Sequence, residues 1–381
     1  MSDENLTAVD PAPRAKPRVA VLFGGRSSEH AVSCVTAAGV LGAINKDKYD
    51  VIPIGIAKSG QWVLAPGDTG QWSLSASSLP EVPPSSETVT LAEIGGEHQL
   101  IVASPNQVPR ELGTVDVVFP LLHGPFGEDG TIQGMLELAD IRYVGCGVLA
   151  SAVMMDKHVM KVLFASAGLP VGAYAVITDA QWHRDPAAAL DAAASLRFPV
   201  FVKPARAGSS LGITRVTDPD GLRDAVEQAR KHDPKVIVEA GVVGREVECG
   251  VLQGRDHGPP RVSPVGEITV TGGHDFYDFE AKYLDETNVE LRCPADLPDD
   301  IRDEVQRIAA DAFEVAGCEG LARVDCFYTE AGAVLINEIN TMPGFTPYSM
   351  YPQVWAAEGI DYPGLVDELL QLALQRPLGL R

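Results

Sequence analysis

Along the chain, short β-branched runs alternate with longer stretches whose apolar residues recur at helical spacing. Residues 18–23 read as a strand, and Gly24-Gly25-Arg26-Ser27-Ser28-Glu29-His30 follows as a glycine turn. Val32, Val35, Ala38 and Leu41 form a stripe that predicts a helix over 29–44. Residues 51–56 form a second strand, and the order strand, helix, strand predicts a parallel sheet and an α/β fold. Residues 64–110, rich in Pro, Ser, Gly and Glu with strand-like fragments such as 99–102, predict an elaborated surface region. A buried strand over 115–120 ends in His123-Gly124-Pro125-Phe126-Gly127-Glu128-Asp129-Gly130, before a helix over 131–139.

Composition shifts after Gly147. A helix over 151–167 carries Asp156, Lys157 and Lys161; a strand over 198–203 ends at Lys203. A small-residue loop, Gly208-Ser209-Ser210-Leu211-Gly212, separates it from a strand over 213–216; a helix over 219–231 and a strand over 236–239 follow. This order predicts a compact α+β middle domain. From Arg245 come several strands, a polar loop over 271–292, a helix over 299–316 and a terminal helix over 362–374. The expected division is a disordered tail over 1–17 and three domains over 18–150, 151–244 and 245–381.

The stretch 323–340 carries most of the chemistry. Two apolar runs flank Ala331-Gly332, a hairpin signal. With those two residues as the loop, Asp325 lies across from Glu338, and Arg323 across from Asn340. Side chains alternate along a strand, so these four share one face. Two carboxylates and an amide oxygen make an oxygen donor set of the kind Mg²⁺ prefers, and an adjacent Arg can balance phosphate charge. An amphipathic hairpin with a solvated polar face is the alternative. The apolar Val324, Cys326, Ile336 and Ile339 predict a buried opposite face. The chain then runs through a Pro/Gly-rich stretch, 341–349, too irregular for a helix and too apolar for an idle linker.

The net charge of −22, from 52 acidic and 30 basic residues, opposes non-specific nucleic-acid binding and docking on an anionic membrane. Six cysteines without a C-x-x-C pair predict buried free thiols and a reducing cytoplasm. The polar first 17 residues lack the apolar core of a signal peptide, and no run of about 18 apolar residues predicts a membrane helix.

The glycines and serines of 208–212 can bring backbone and hydroxyl donors to a phosphate, although the loop is neither a Walker A nor a G-x-G-x-x-G motif. A plain hairpin turn reads the same way. Lys203 and Lys157 are the candidate cations. Gly24-Gly25-Arg26-Ser27-Ser28-Glu29-His30, His123 to Gly130, Met155-Asp156-Lys157, Val202-Lys203-Pro204, Gly208 to Gly212, Glu280-Ala281-Lys282-Tyr283, Arg323-Val324-Asp325 and Asn337-Glu338-Ile339-Asn340-Thr341-Met342-Pro343-Gly344 occur in one order. That order resembles the D-alanine–D-alanine ligases of the ATP-grasp superfamily, over roughly residues 18–375.

The resemblance implies a three-domain ATP-grasp architecture with ATP between the middle and C-terminal domains. It implies that Lys157, Lys203, Ser209, Ser210 and Lys282 contact ATP, with Glu239 and Glu246 at the adenosine. Asp325, Glu338 and Asn340 would hold two Mg²⁺, with Mn²⁺ as a substitute and K⁺ as a further candidate. Glu29 would bind the ammonium of the first D-alanine, near His123. Arg323 and the backbone of Gly344 would stabilise the oxyanion, and Ser349 and Met350 would receive the second D-alanine. Lys282 and Tyr283 would lie on a mobile loop over 271–292, Tyr283 meeting Glu29 and Ser209 on closure. The implied reaction is ligation of two D-alanines through an acyl phosphate, for peptidoglycan precursor synthesis, by a cytoplasmic homodimer. D-alanine–D-serine and D-alanine–D-lactate ligases, another ATP-grasp enzyme, and an inactive nucleotide-binding regulator remain as alternatives.

Overall fold

The computed structural model describes residues 16–66, 72, 79–94, 97–270 and 289–379. The polypeptide opens with β1 (Arg18–Gly24), α1 (His30–Ala43) and β2 (Asp50–Ile56), and β1 pairs with β2 in parallel. Strand β3 (Trp62–Leu64) adds antiparallel to β2. The region read as surface elaboration contains a separate antiparallel sheet of β4 (Thr88–Ile94), β5 (Glu97–Ala103) and β6 (Arg110–Thr114). Then β7 (Val117–Pro120), α2 (Thr131–Leu138) and β8 (Arg142–Tyr143) complete a sheet ordered β3-β2-β1-β7-β8.

The single helix expected over 151–167 is two helices, α3 (Val148–Met155) and α4 (Lys157–Ser166). They part at Asp156, whose carboxylate caps α4 by accepting from the backbone N–H groups of His158 and Val159. Met154, Met160 and Phe164 of this pair share a core with Val247, Val324 and Ile336, residues from the C-terminal part of the chain. The middle sheet comprises β9 (Tyr174–Ile177), β10 (Val200–Pro204), β11 (Thr214–Val216) and β12 (Val236–Ala240), in the order β11-β10-β12-β9. Helices α5 (Asp179–Arg184), α6 (Pro186–Ala194) and α7 (Leu222–Ala229) accompany it, and Val200, Val202, Val226 and Val238 belong to its separate core.

The C-terminal sheet is ordered β15-β14-β13-β16-β17: β13 (Gly244–Leu252), β14 (Arg261–Val270), β15 (Val289–Arg292), β16 (Leu321–Thr329) and β17 (Val334–Asn340). Helix α8 (Asp299–Val315) buries Val305, Ile308 and Ala312 against it. Helix α9 (Met350–Ala357) lies over Gly250 and Gly266; a Cβ at Gly250 would come within 2.9 Å of Trp355 Nε1. The last helix, α10 (Tyr362–Gln375), returns to the N-terminal sheet, where Leu365 and Leu369 pack in one core with Val19 and Phe119. Lys48 pairs with Asp367 at 2.7 Å, and Arg376 donates to the carbonyls of Tyr143 and Gly145 at 3.0 and 2.7 Å. The N- and C-terminal sheets are thereby joined, while the middle sheet keeps its own core.

This embedding corrects the stripe expected on α1. Its core residues are Val32, Cys34, Ala37, Val40 and Leu41, whereas Val35 and Ala38 line a cleft between the three sheets. The helix is covered by sheet and α10 together, so its least buried side is a site wall.

The hairpin pairs Arg323 with Asn340 and Asp325 with Glu338, in the expected register, by a different route. The loop is three residues long, 330–332: the N–H of Thr329 donates to Ala333 O, and that of Gly332, with φ +83, to Thr329 O. A bulge between Asp325 and Cys326 then leaves Asn337 without an opposite residue, so Cys326 pairs with Ile336. The extra loop residue and the extra bulge residue cancel. Strict alternation would have set Ile336 on the face of Glu338; the bulge turns it into the core with Val324, Cys326 and Ile339.

All six cysteines are free thiols. Burial pushes the Cys34 and Cys249 thiols up to about 12. Among the described residues, no helix is long and apolar enough to cross a membrane.

Candidate active site

A cleft of about 1310 Å³ opens where the three sheets meet. Glu29, His123, Lys157, Lys203, Ser209 and Ser210 line it from one side, and Glu239 and Glu246 line it too. Arg323, Asp325, Glu338, Asn340, Gly344, Ser349 and Met350 line the side built by the C-terminal part. Lys282 and Tyr283, with residues 271–288 of the expected loop, lie outside the described residues.

Glu29 precedes α1 at its N-cap, yet its carboxylate makes no capping bond to the helix. It projects into the cleft and accepts from the Ser209 hydroxyl. Glycines make room for it: a Cβ on Gly208 would stand 2.6 Å from Glu29 Oε2, and Gly124, at φ +71, faces the same oxygen. His123 is buried beside it, with Nδ1 3.2 Å from Met342 O and Nε2 3.3 Å from Thr36 Oγ1. Burial alone would lower its pKa, but the hydrogen bond and charge of Glu128, with Glu29 behind, raise it above the usual imidazole value.

The Gly208–Gly212 loop leaves Arg206, which is fastened to the buried Asp233 by its backbone N–H at 2.9 Å and by two guanidinium bonds at 2.9 and 2.7 Å. Ser209 and Ser210 sit at φ +48 and +57, left-handed values that cost non-glycine residues on the order of 1 kcal/mol each. Lys157, first residue of α4, donates to Ala207 O at 2.9 Å and lies 3.4 Å from Glu338 Oε2. Lys203 Nζ lies 2.5 Å from Glu239 Oε2, and Lys161 Nζ lies 2.9 Å from Glu239 Oε1. Burial would raise the Glu239 pKa, but the two ammonium groups drive it far below the usual carboxylate range. Lys203 is correspondingly held protonated: Glu239, then Glu338 and Glu246, outweigh its burial. An adenosine contact through the Glu239 carboxylate therefore requires this pairing to open.

On the hairpin face, Arg323 donates to both oxygens of Asp325 at 2.7 Å and stands 3.1 Å from the buried Glu248. Asn340 Nδ2 donates to Asp325 Oδ2 at 2.9 Å, which commits its amide nitrogen and not its oxygen. Among the described residues, no three His, Cys, Asp or Glu side chains converge as a metal group. The expected set differs from such a group: two carboxylates 13 residues apart in sequence and one amide oxygen, all hard donors that fit a divalent cation. Ser349 N-caps α9 with its hydroxyl turned to Thr346 at 2.8 Å, and Met350 begins the helix. Three residues of this site escaped sequence reading as functional groups: Lys161, Glu248 and Asp233. Lys161 follows Lys157 by one helical turn and Glu248 follows Glu246 on one strand face, which are the signals those two leave; Asp233 leaves none.

Two family models cover most of the chain: one described as D-ala D-ala ligase N-terminus matches residues 18–146, and one described as D-ala D-ala ligase C-terminus matches residues 163–371. A relative from Pseudarthrobacter chlorophenolicus named D-alanine–D-alanine ligase is 69% identical over 382 residues, covering 100% of each chain. The solved VanG D-Ala:D-Ser ligase from Enterococcus faecalis superposes with a TM-score of 0.79 at 37% identity, over 94% of this chain and 99% of that one. The D-alanine-D-alanine ligase from Coxiella burnetii does so with a TM-score of 0.76 at 32% identity, over 95% and 94%.

Proposed function

The chain belongs to the D-alanine–D-alanine ligase family, and from that premise we propose that it condenses two D-alanines into D-alanyl-D-alanine for peptidoglycan, converting ATP to ADP and phosphate. The observation that carries this reading is the convergence in one cleft of the Glu29 carboxylate, the Lys157 and Lys203 ammonium groups, and the Arg323, Asp325, Glu338, Asn340 face.

Two amino acids do not condense in water without activation. A carboxylate oxygen of the first D-alanine attacks the γ-phosphorus, ADP leaves, and an acyl phosphate forms. The amine of the second D-alanine then attacks the acyl carbon, loses a proton, and phosphate departs with the original carboxylate oxygen. Glu29 holds the ammonium of the first substrate. Lys157 and Lys203 neutralise the phosphates, and the Gly208–Gly212 loop supplies backbone and hydroxyl donors over them. Arg323 and the Gly344 N–H stabilise the tetrahedral oxyanion; losing one such donor raises a barrier by ~3–4 kcal/mol. The N-terminus of α9, at Ser349 and Met350, receives the second carboxylate, where backbone N–H groups and the helix dipole favour an anion. Asp325, Glu338 and Asn340 would hold divalent cations, which we assign as two Mg²⁺, and these would supply charge neutralisation on the nucleotide's phosphates. The free thiols fit a reducing cytoplasm; the family resemblance suggests a homodimer there, which light scattering tests.

The test is phosphate release from ATP with D-alanine, L-alanine, D-serine and D-lactate supplied in turn, each alone and each together with D-alanine. D-alanine alone should give full turnover. Preferential turnover with D-alanine plus D-serine would instead favour the specificity named for the Enterococcus faecalis neighbour.

A further inference from the structure

Lys161 has no part in the reaction as derived above, yet it is among the most enclosed charged side chains of the molecule, at 2% exposure. It joins three elements. From α4 it reaches Glu239 Oε1 on β12 at 2.9 Å, and it donates to the backbone carbonyl of Asn337 on β17 at 3.1 Å. Asn337 is the bulged residue immediately before Glu338, and a bulge takes backbone groups out of the ladder. The Lys161 ammonium supplies that carbonyl with a donor.

The other Glu239 oxygen is held by Lys203, and the two lysines differ in access. The Lys203 side chain is 15% exposed and that of Lys161 3%. Lys203 is therefore the cation that an incoming triphosphate meets. Once it turns to phosphate, Glu239 would be left as a buried anion with no cation, unless a second one stays behind. A buried charge stripped of its partner is strongly unfavourable, so the carboxylate would hold Lys203 back. Lys161 removes that conflict, because its own oxygen of Glu239 is not the one Lys203 uses.

We propose that Lys161 is a positioning residue for nucleotide binding: it keeps Glu239 compensated and the Asn337 bulge in place, so that Lys203 is released to the phosphates. The proposal rests on the ligase reading of the cleft. Lys161 touches neither substrate nor nucleotide in this role.

The test measures the affinity of the non-hydrolysable analogue AMP-PNP, with MgCl₂, by calorimetry. Lys161→Met should weaken binding on the order of 100-fold, the scale on which truncating one partner of a buried charge pair acts. KM for ATP should rise in parallel, while KM for D-alanine stays close to wild type. Adding Glu239→Gln to that variant should restore at least about tenfold of the affinity, since a neutral amide no longer retains Lys203. Lys161→Arg, which keeps the charge, should bind within a few fold of wild type and serves if the Met variant does not fold. A double variant as weak as Lys161→Met alone, or equal losses in the Met and Arg variants, would reduce Lys161 to a packing role and overturn the proposal. Wild-type affinity in Lys161→Met would overturn it too. A wild-type protein that binds no AMP-PNP would remove the ligase reading, and this inference with it.

Discussion

Replacing Glu248 by glutamine perturbs the site by one charge and almost no volume. Glu248 lies on β13 directly across from Asp325, its side chain 7% exposed, and it stands 3.1 Å from Arg323 Nε. Arg323 is thus held between two carboxylates, Asp325 being the closer at 2.7 Å. Burial works against the guanidinium charge, and Asp325 followed by Glu248 outweigh it. If Asp325 turns to a metal ion as proposed, Glu248 would be the carboxylate that keeps Arg323 aimed at the acyl group. At an effective dielectric constant of about 20, unit charges at this separation attract by about 5 kcal/mol before desolvation. Desolvation of Glu248 offsets much of that, so Glu248→Gln should lower kcat by roughly 10–100-fold, or ~1.4–2.8 kcal/mol. Steady-state phosphate release at saturating ATP and D-alanine measures it. KM for ATP should barely move, and the protein should still fold, because the buried Arg323 keeps Asp325 as a charge partner at 2.7 Å. A kcat within about twofold of wild type would refute the reasoning, since it would mean Arg323 needs no second carboxylate.

Gly208→Ala would place a methyl group 2.6 Å from Glu29 Oε2 at a backbone conformation open to any residue, so KM for D-alanine should rise about tenfold; an unchanged KM would detach Glu29 from substrate binding. Glu338→Gln should abolish turnover at saturating Mg²⁺ and leave the melting temperature in place, because one charge leaves a paired-carboxylate site; near-normal turnover would contradict the metal assignment. Arg376→Met removes two carbonyl bonds, the 2.5 Å pair with Glu319 and a cation–π contact at 4.1 Å to the Tyr143 ring, so the melting temperature should drop by several degrees with activity kept below it. His123 has a raised pKa, so its contribution to stability is complete below the unfolded value of about 6.5 and fades as pH rises through the higher folded value; His123→Asn should flatten the melting temperature against pH across that window, and an unchanged slope would refute it.

The polar face of the hairpin was legible because parity survives two compensating changes. A one-residue longer loop and a one-residue bulge return Asp325 to Glu338 and Arg323 to Asn340. Neither change leaves a pattern signal: Ile336 is on the buried face as its apolar character predicted, but the bulge, not strict alternation, puts it there. Parallel β1 and β2 followed from their order and spacing. Helices α5 and α6 did not stand out, because a run such as Pro186-Ala187-Ala188-Ala189 has no contrast between faces. Helix α9 was hidden by Pro352 within it and the Pro/Gly-rich run before it. The break at Asp156 is a cap competing with helix continuation, a choice made by the Lys235 and α4 partners of that carboxylate. The motif residues of the cleft were nameable from the chain. Lys161 and Glu248 were not, since their meaning comes from Glu239 and Arg323, each more than 70 residues away in sequence.

The account stands most directly on the fate of one oxygen atom. D-alanine carrying ¹⁸O in its carboxylate is to be converted with ATP, and the released phosphate, AMP and ADP analysed by mass spectrometry. Activation through an acyl phosphate predicts one ¹⁸O in phosphate for each dipeptide formed, ADP as the nucleotide product, and none of the label in nucleotide. Label in AMP, or dipeptide formed with unlabelled phosphate, would contradict it.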